Sequence, residues 1–123
     1  MGALAPAAIQ MERHMSDEHV EQIDTREKLR QLRHEVFMQK LREERRLQKL
    51  TQAQAADRVQ LGRTNVSDAE NGRSRDLFSL WDVTDGIGVL LETIISRTNR
   101  EVEYRLREQG RKLSDFTFDA AED

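Results

Sequence analysis

Cysteine is absent from the 123 residues, which excludes a disulfide framework and any thiolate metal site. That absence suits a reducing compartment, and a cytoplasmic, nucleoid-associated protein is the expectation. Long apolar runs are missing too, and none approaches the roughly 18–20 residues needed to span a bilayer. No membrane partner is therefore expected. Aromatic residues make up only 5% and hydrophobic ones 37%, against 35% charged. A compact core is possible over part of the chain only, because arms this polar bury too little apolar surface to offset the entropy of ordering them. The single proline, Pro6, lies in a stretch without sustained periodicity, so residues 1–23 are expected to form a flexible N-terminal arm. Met1–Gln10 lacks the basic and long apolar regions of a signal peptide. A vector-derived leader and an alternative start are both open for the segment up to Met15.

The three histidines, His14, His19 and His34, are too scattered to be a ligand set. His34-Glu35 begins like a zinc-protease motif, but Met38 occupies the second histidine position. No metal and no cofactor are expected. Without cysteine and with dispersed histidines, no nucleophile–base pair can be singled out, so an enzyme is not expected. Gly86-Ile87-Gly88 lacks the third glycine and preceding strand of a dinucleotide loop and reads as a helix end.

What is present is charge, unevenly placed. The net charge of −3 argues against a chain that grips nucleic acid over its whole surface. Acidic residues gather near the ends, at Asp17, Glu18, Glu21 and Asp24 and again at Asp115, Asp119, Glu122 and Asp123, while Arg58, Arg63, Arg73 and Arg75 lie in the middle. A local basic face remains possible.

Helical periodicity begins after Asp24, which with Glu27 suggests a helix start of capping-box type. Leu29, Leu32, Val36, Phe37, Leu41, Leu47 and Leu50 then mark one long amphipathic helix to about Gln48, with a bend possible near Lys40. Thr51 is a plausible N-cap for a short helix whose inner face is Ala55, Ala56 and Val59. The turn Gln60-Leu61-Gly62 leads to a second short helix over 63–70, with Val66 and Ala69 inward and Arg63, Thr64, Asn65 and Asp68 outward. Asn71-Gly72 ends it. Leu77, Leu80, Trp81, Val83, Thr84 and Ile87 predict another helix ending near Gly86–Gly88, with Trp81 in the core. Beyond it, Val102, Tyr104 and Leu106 alternate with Glu101, Glu103, Arg105 and Arg107. That period of two favours a hairpin over 89–107, turning at Ser96–Arg100, with a helix over 101–109 as the rival reading. The end of the chain, 110–123, reads as an acidic tail in which Phe116 and Phe118 could dock.

Two short helices, a tight turn and a polar outer face on the second are what a DNA-reading helix-turn-helix needs. The run TQAQAADRVQLGRTNVSDAENG, residues 51–72, resembles the Cro/XRE helix-turn-helix of phage repressors position for position. Thr51 and Gln52 stand where that family begins its first motif helix, Ala56 at its close-packed alanine, Leu61 at its turn hydrophobe and Val66 at the anchor of its recognition helix. Gln60 replaces the usual turn glycine and Ala55 a usual leucine. Residues 77–95 more weakly resemble the corresponding part of HigA- and HipB-type antitoxins, where a strand after the last helix helps build the dimer.

The resemblance implies a mainly α, lambda-repressor-like bundle over 24–88, a C-terminal β-strand or hairpin extension over 89–109 for dimerisation, and the tail beyond. It implies base reading by Arg63, Thr64, Asn65 and Asp68, phosphate contacts from Gln52, the Asn71 backbone, Arg73 and Arg75, and an ion pair between Arg45 and Glu70. The partner it implies is a double-stranded DNA operator bound by a homodimer, and the function a transcriptional repressor. An antitoxin that neutralises a toxin partner and represses its own operon is the alternative. A third reading is a protein-interaction module without DNA binding, suggested by the net acidity and Asp68.

Overall fold

In the computed structural model, residues 21–74 and 76–116 are described. They form five α-helices, α1 (Arg26–Leu47), α2 (Gln52–Asp57), α3 (Arg63–Glu70), α4 (Leu77–Ile87) and α5 (Leu91–Glu108), followed by a short 3-10 turn, Leu113–Asp115. Most of residues 1–23 and the end of the tail, including Phe118, lie outside the described residues, as does Arg75.

The N-cap of α1 is Thr25, one residue beyond the expected Asp24. The Thr25 hydroxyl accepts from the Lys28 N–H at 3.2 Å, while Asp24 instead pairs with the Lys28 ammonium at 2.9 Å. The helix runs uninterrupted through Lys40 and ends in a tight αL cap. Lys49 adopts φ +59°, and the N–H groups of Lys49 and Leu50 return to the carbonyls of Arg46 and Arg45. Leu47, grouped above with the apolar face, is exposed.

Two apolar clusters hold the chain together. The first gathers Leu41 of α1, Ala55 and Ala56 of α2, Val66 and Ala69 of α3, Val83 and Ile87 of α4 and Ile94 of α5. The second joins Leu29, Leu32 and Val36 of α1 to Val102 and Leu106 of α5, with Ile23, Leu113 and Phe116 packed at its end. Ile23 is therefore part of the core, not of a loose arm. The Gln109 side chain accepts from the Ile23 N–H at 2.8 Å, and Arg26 donates to the Phe116 carbonyl at 2.9 Å. Both ends of the described chain are thus tied to one place.

The expected β extension is absent: no strand occurs among the described residues, and 91–108 is the helix α5. Leu91, Ile94, Thr98, Val102 and Leu106 are its buried residues, at spacings of three and four. That stripe passes through the proposed hairpin turn at Thr98, where a polar residue conceals it. Thr98 fits because its hydroxyl donates to the Ile94 carbonyl at 2.7 Å. Tyr104, which completed the apparent alternation, is 53% exposed. Glu101 and Arg105, one turn apart, pair at 3.3 Å, as neighbours on a helix do. The helix α5 packs against α1, so its inner face is not free for a second copy.

Candidate nucleic-acid interface

The chain turns between α2 and α3 in five residues, 58–62, and the geometry of that turn places α3. Thr51 caps α2 through a full capping box: its hydroxyl accepts from the Gln54 N–H at 3.1 Å, and its own N–H donates to the Gln54 side chain at 2.9 Å. After Asp57 the helix closes through the Leu61 N–H, which donates to the Ala56 carbonyl at 2.9 Å. Gln60 stands in the left-handed conformation at φ +59°. The substitution of glutamine for glycine therefore preserves the turn at the cost of local strain. Gly62 then caps α3 in an extended conformation.

Ala55 has a matching counterpart on α4. A methyl at Gly86 would fall on the Ala55 carbonyl oxygen, so α2 and α4 meet backbone to backbone there. At the other end of α3, Gly72 takes φ +75° beneath His34 and Met38 of α1, where a Cβ would meet Met38 Sδ at 2.6 Å. The first fixes α2 against α4, and the second fixes the end of α3 against α1.

The inner face of α3 is sealed by Val66, Ala69 and Glu70. Glu70 is the hub of the motif. Its carboxylate takes Arg45 Nε at 2.6 Å on one oxygen and Arg45 Nη2 at 2.9 Å on the other, and Gln52 Nε2 approaches at 3.3 Å. Arg42 Nη2 donates to the Glu70 backbone carbonyl at 2.8 Å, and Arg45 Nη1 reaches the Leu50 carbonyl at 2.9 Å. Three elements are joined through one buried carboxylate. The hydrogen bond to Glu70 holds the Arg45 guanidinium above its ordinary, already high value, against the effect of burial.

The outer face of α3 carries Arg63, Thr64 and Asn65, all exposed. Asp68 is half-buried, and its carboxylate stands 3.9 Å from Arg73 Nη1. The backbone after α3 folds onto the same residue, for the N–H groups of Arg73 and Ser74 both donate to the Asp68 carbonyl. Asn71 closes the helix: its backbone N–H and its side-chain amide both donate to the Ser67 carbonyl, at 3.0 and 2.9 Å. The Asn71 backbone N–H, expected to face a phosphate, is thus already engaged. Gln52, assigned the same role, spends one amide hydrogen on Glu70. Arg63, Thr64 and Asn65 stand exposed on α3, and Asp68 near its end is paired with the exposed Arg73 of the segment after it.

Sequence reasoning placed Trp81 in the core, and the structure does not. Trp81 is 49% exposed and stacks on Phe78, ring centroids 6.3 Å apart. The hydroxyl of Thr84, which is buried, donates to the Trp81 carbonyl instead. Arg42 is a further contributor that the sequence did not flag. The i,i+3 spacing from Arg45 was the available signal, since both side chains then reach the same end of α3.

Two short helices braced by a buried ion pair, with a tight turn and an exposed polar second helix, define a helix-turn-helix. Residues 41–80 match the family model HTH_3, described as Helix-turn-helix, so this segment is similar to the Cro/C1-type helix-turn-helix of the XRE family. That module is of the DNA-binding kind found in transcriptional regulators. No curated protein and no solved structure matches the chain. Among the described residues, no helix is long and apolar enough to cross a membrane.

Proposed function

We propose that the chain is a dimeric, sequence-specific DNA-binding repressor that reads the major groove through α3. The observation that carries this reading is the division of α3 into two faces. Val66, Ala69 and Glu70 are fixed inside, while Arg63, Thr64 and Asn65 stand free at the front of a helix-turn-helix. An arginine at the first position of α3 can present its planar fork to O6 and N7 of guanine, and Thr64 and Asn65 offer shorter-range contacts to neighbouring bases. Asp68, held near Arg73, is suited to accept from a cytosine amino group and to set where Arg73 points. Arg73, with Arg75 beside it in sequence, supplies charge for phosphates, and Gln52 retains one amide hydrogen for the same purpose.

A single module of this size makes too few contacts for tight specific binding, so two copies on a two-fold operator are part of the proposal. The antitoxin alternative loses one of its grounds, the strand, because 91–108 is helical. The test is quantitative duplex binding at several salt concentrations, after selection of a preferred sequence from random duplexes. Sequence preference with a steep fall in affinity as salt rises supports the reading. Equal, weak binding to every duplex contradicts it.

A further inference from the structure

Among the described residues, three of the exposed large apolar side chains lie together near the start of α4. Leu77 is 50% exposed, Phe78 70% and Trp81 49%, and the two rings lie nearly parallel, 23° apart, so that they present one flat plate. We infer that this plate is where a second copy of the same chain docks, two α4 helices meeting across a two-fold axis. The inference rests on the dimeric DNA-binding reading for its geometry, and its test separates the two.

Area is the first ground. Buried aromatic side chains each contribute roughly 150–250 Å², so the exposed parts of these three residues amount to about 300–400 Å² per copy. That falls within the roughly 300–600 Å² of the largest apolar patch on a typical monomer, a patch that is often functional, and approaches half of the ~800 Å² each partner gives to a standard interface. The second ground is chemistry. Asp76, Asp82 and Asp85, all exposed, stand within four residues of Phe78 or Trp81 in sequence, and the sequence of α4, LFSLWDVTDGI, holds no basic residue. An acidic rim repels a phosphate backbone, so DNA is a poor cover for this face. Position is the third ground. Only residues 71–76 separate α4 from α3, and Gly86 locks α4 against the Ala55 backbone. Copies joined through α4 would therefore hold their α3 helices in a fixed mutual orientation, as two half-sites require.

The acidic rim gives this interface a signature of its own. Pairing brings like charges together, so added salt should tighten the dimer while it loosens DNA binding. Trp81 is the only tryptophan in the chain, so its fluorescence reports on the plate alone.

The experiment uses the full chain without DNA, measuring mass by sedimentation equilibrium and Trp81 quenching by acrylamide over roughly a thousandfold dilution. The expected mass at the concentrated end is twice 14.3 kDa. Trp81 should be shielded there and become quenchable as the dimer dissociates. Phe78→Asp should weaken association by about a hundredfold or more, since both copies lose a buried ring. At concentrations where the wild type is also monomeric its melting temperature should change little, because Phe78 belongs to neither core cluster. The wild-type quenching curve stands as an independent measurement if that variant does not fold. A monomer at every concentration, or a dimer in which Trp81 stays fully quenchable, overturns the inference. A monomer that still selects a DNA sequence overturns only the pairing. A dimer shielded at Trp81 that binds no duplex supports the pairing and sinks the DNA reading.

Discussion

Arg45 holds Glu70 with two parallel hydrogen bonds, 2.6 Å from Nε and 2.9 Å from Nη2, and the carboxylate they grip is almost wholly buried. The pair joins the end of α1 to the end of α3. Its geometry is the fork-on-carboxylate arrangement that gives both strength and direction. Removing one partner leaves the other charged and desolvated. Glu70→Leu is expected to destabilise the fold by about 3 kcal/mol, and Arg45→Met with Glu70→Leu together by less than the two single changes summed. Urea denaturation of the four proteins of that cycle checks both statements.

Gln60 and Lys49 both occupy the left-handed region without being glycine, at φ +59° in each case. Each carries a steric penalty on the order of 1 kcal/mol, which glycine avoids while adding some unfolded-state entropy. Gln60→Gly and Lys49→Gly should each stabilise the protein by roughly 0.5 kcal/mol. The readout is a higher urea midpoint with an unchanged slope. Gln60→Val, β-branched, should shift the midpoint the other way.

Gly86 behaves differently, because space rather than dihedral angle governs it. An added methyl would meet the Ala55 carbonyl oxygen and lie 3.1 Å from Val59 Cγ2. Gly86→Ala is therefore expected to cost roughly 1–3 kcal/mol by forcing α2 and α4 apart. Thermal unfolding followed by circular dichroism measures it. Gly110, whose added Cβ would meet nothing within 4 Å, is the control for crowding, although its φ of +70° carries a smaller backbone penalty of its own.

How much of this was legible in the sequence follows from which interactions are local. The helices α2, α3 and α4 have caps and apolar spacing written within a dozen residues each, at Thr51, at Gly62 and Gly72, and at Gly88. The helix α5 was misread because its buried stripe includes Thr98, and because Glu101 to Arg107 alternates by accident on a helix. Only packing against α1 distinguishes Val102 and Leu106 from Tyr104. The ion-pair partners of Glu44 and Glu70, Arg97 and Arg45, and the Ile23 N–H that Gln109 accepts lie 25 or more residues away, and periodicity carries no information about such pairs. The placement of Trp81 failed for a related reason: an apolar residue on a helix reads as core whether the surface that covers it is its own chain or another. For the candidate site, the outward and inward faces of α3 were legible, whereas the engagement of Gln52 with Glu70 and of Asn71 with Ser67 was not.

Glu44 links the two long helices by its ion pair with Arg97, and Gln48 donates to its other oxygen at 3.1 Å. Burial alone would raise its carboxyl, but the bonds from Arg97 and Gln48 outweigh burial and hold it below the usual 4.5. A depressed carboxylate contributes stability that is present above its unfolded value and is lost as pH falls through its folded value. Stability should therefore decline on acidification below about pH 4.5 as Glu44 takes up its proton. Glu44→Gln should lower stability at neutral pH and flatten that part of the acid limb. Denaturant titrations from neutral to acidic pH measure both.

The most direct test of the central claim is selection of preferred duplexes from a random pool by the wild-type chain and by Arg63→Ala, with binding then measured against salt. The wild type should enrich a motif with two-fold related halves. Arg63→Ala should lose preference at one symmetric pair of base positions, at roughly 1–3 kcal/mol per half-site, while its salt dependence stays close to that of the parent. A pool that remains random after selection by the wild type, or an Arg63→Ala variant that enriches the same motif as strongly, would contradict reading of DNA through α3.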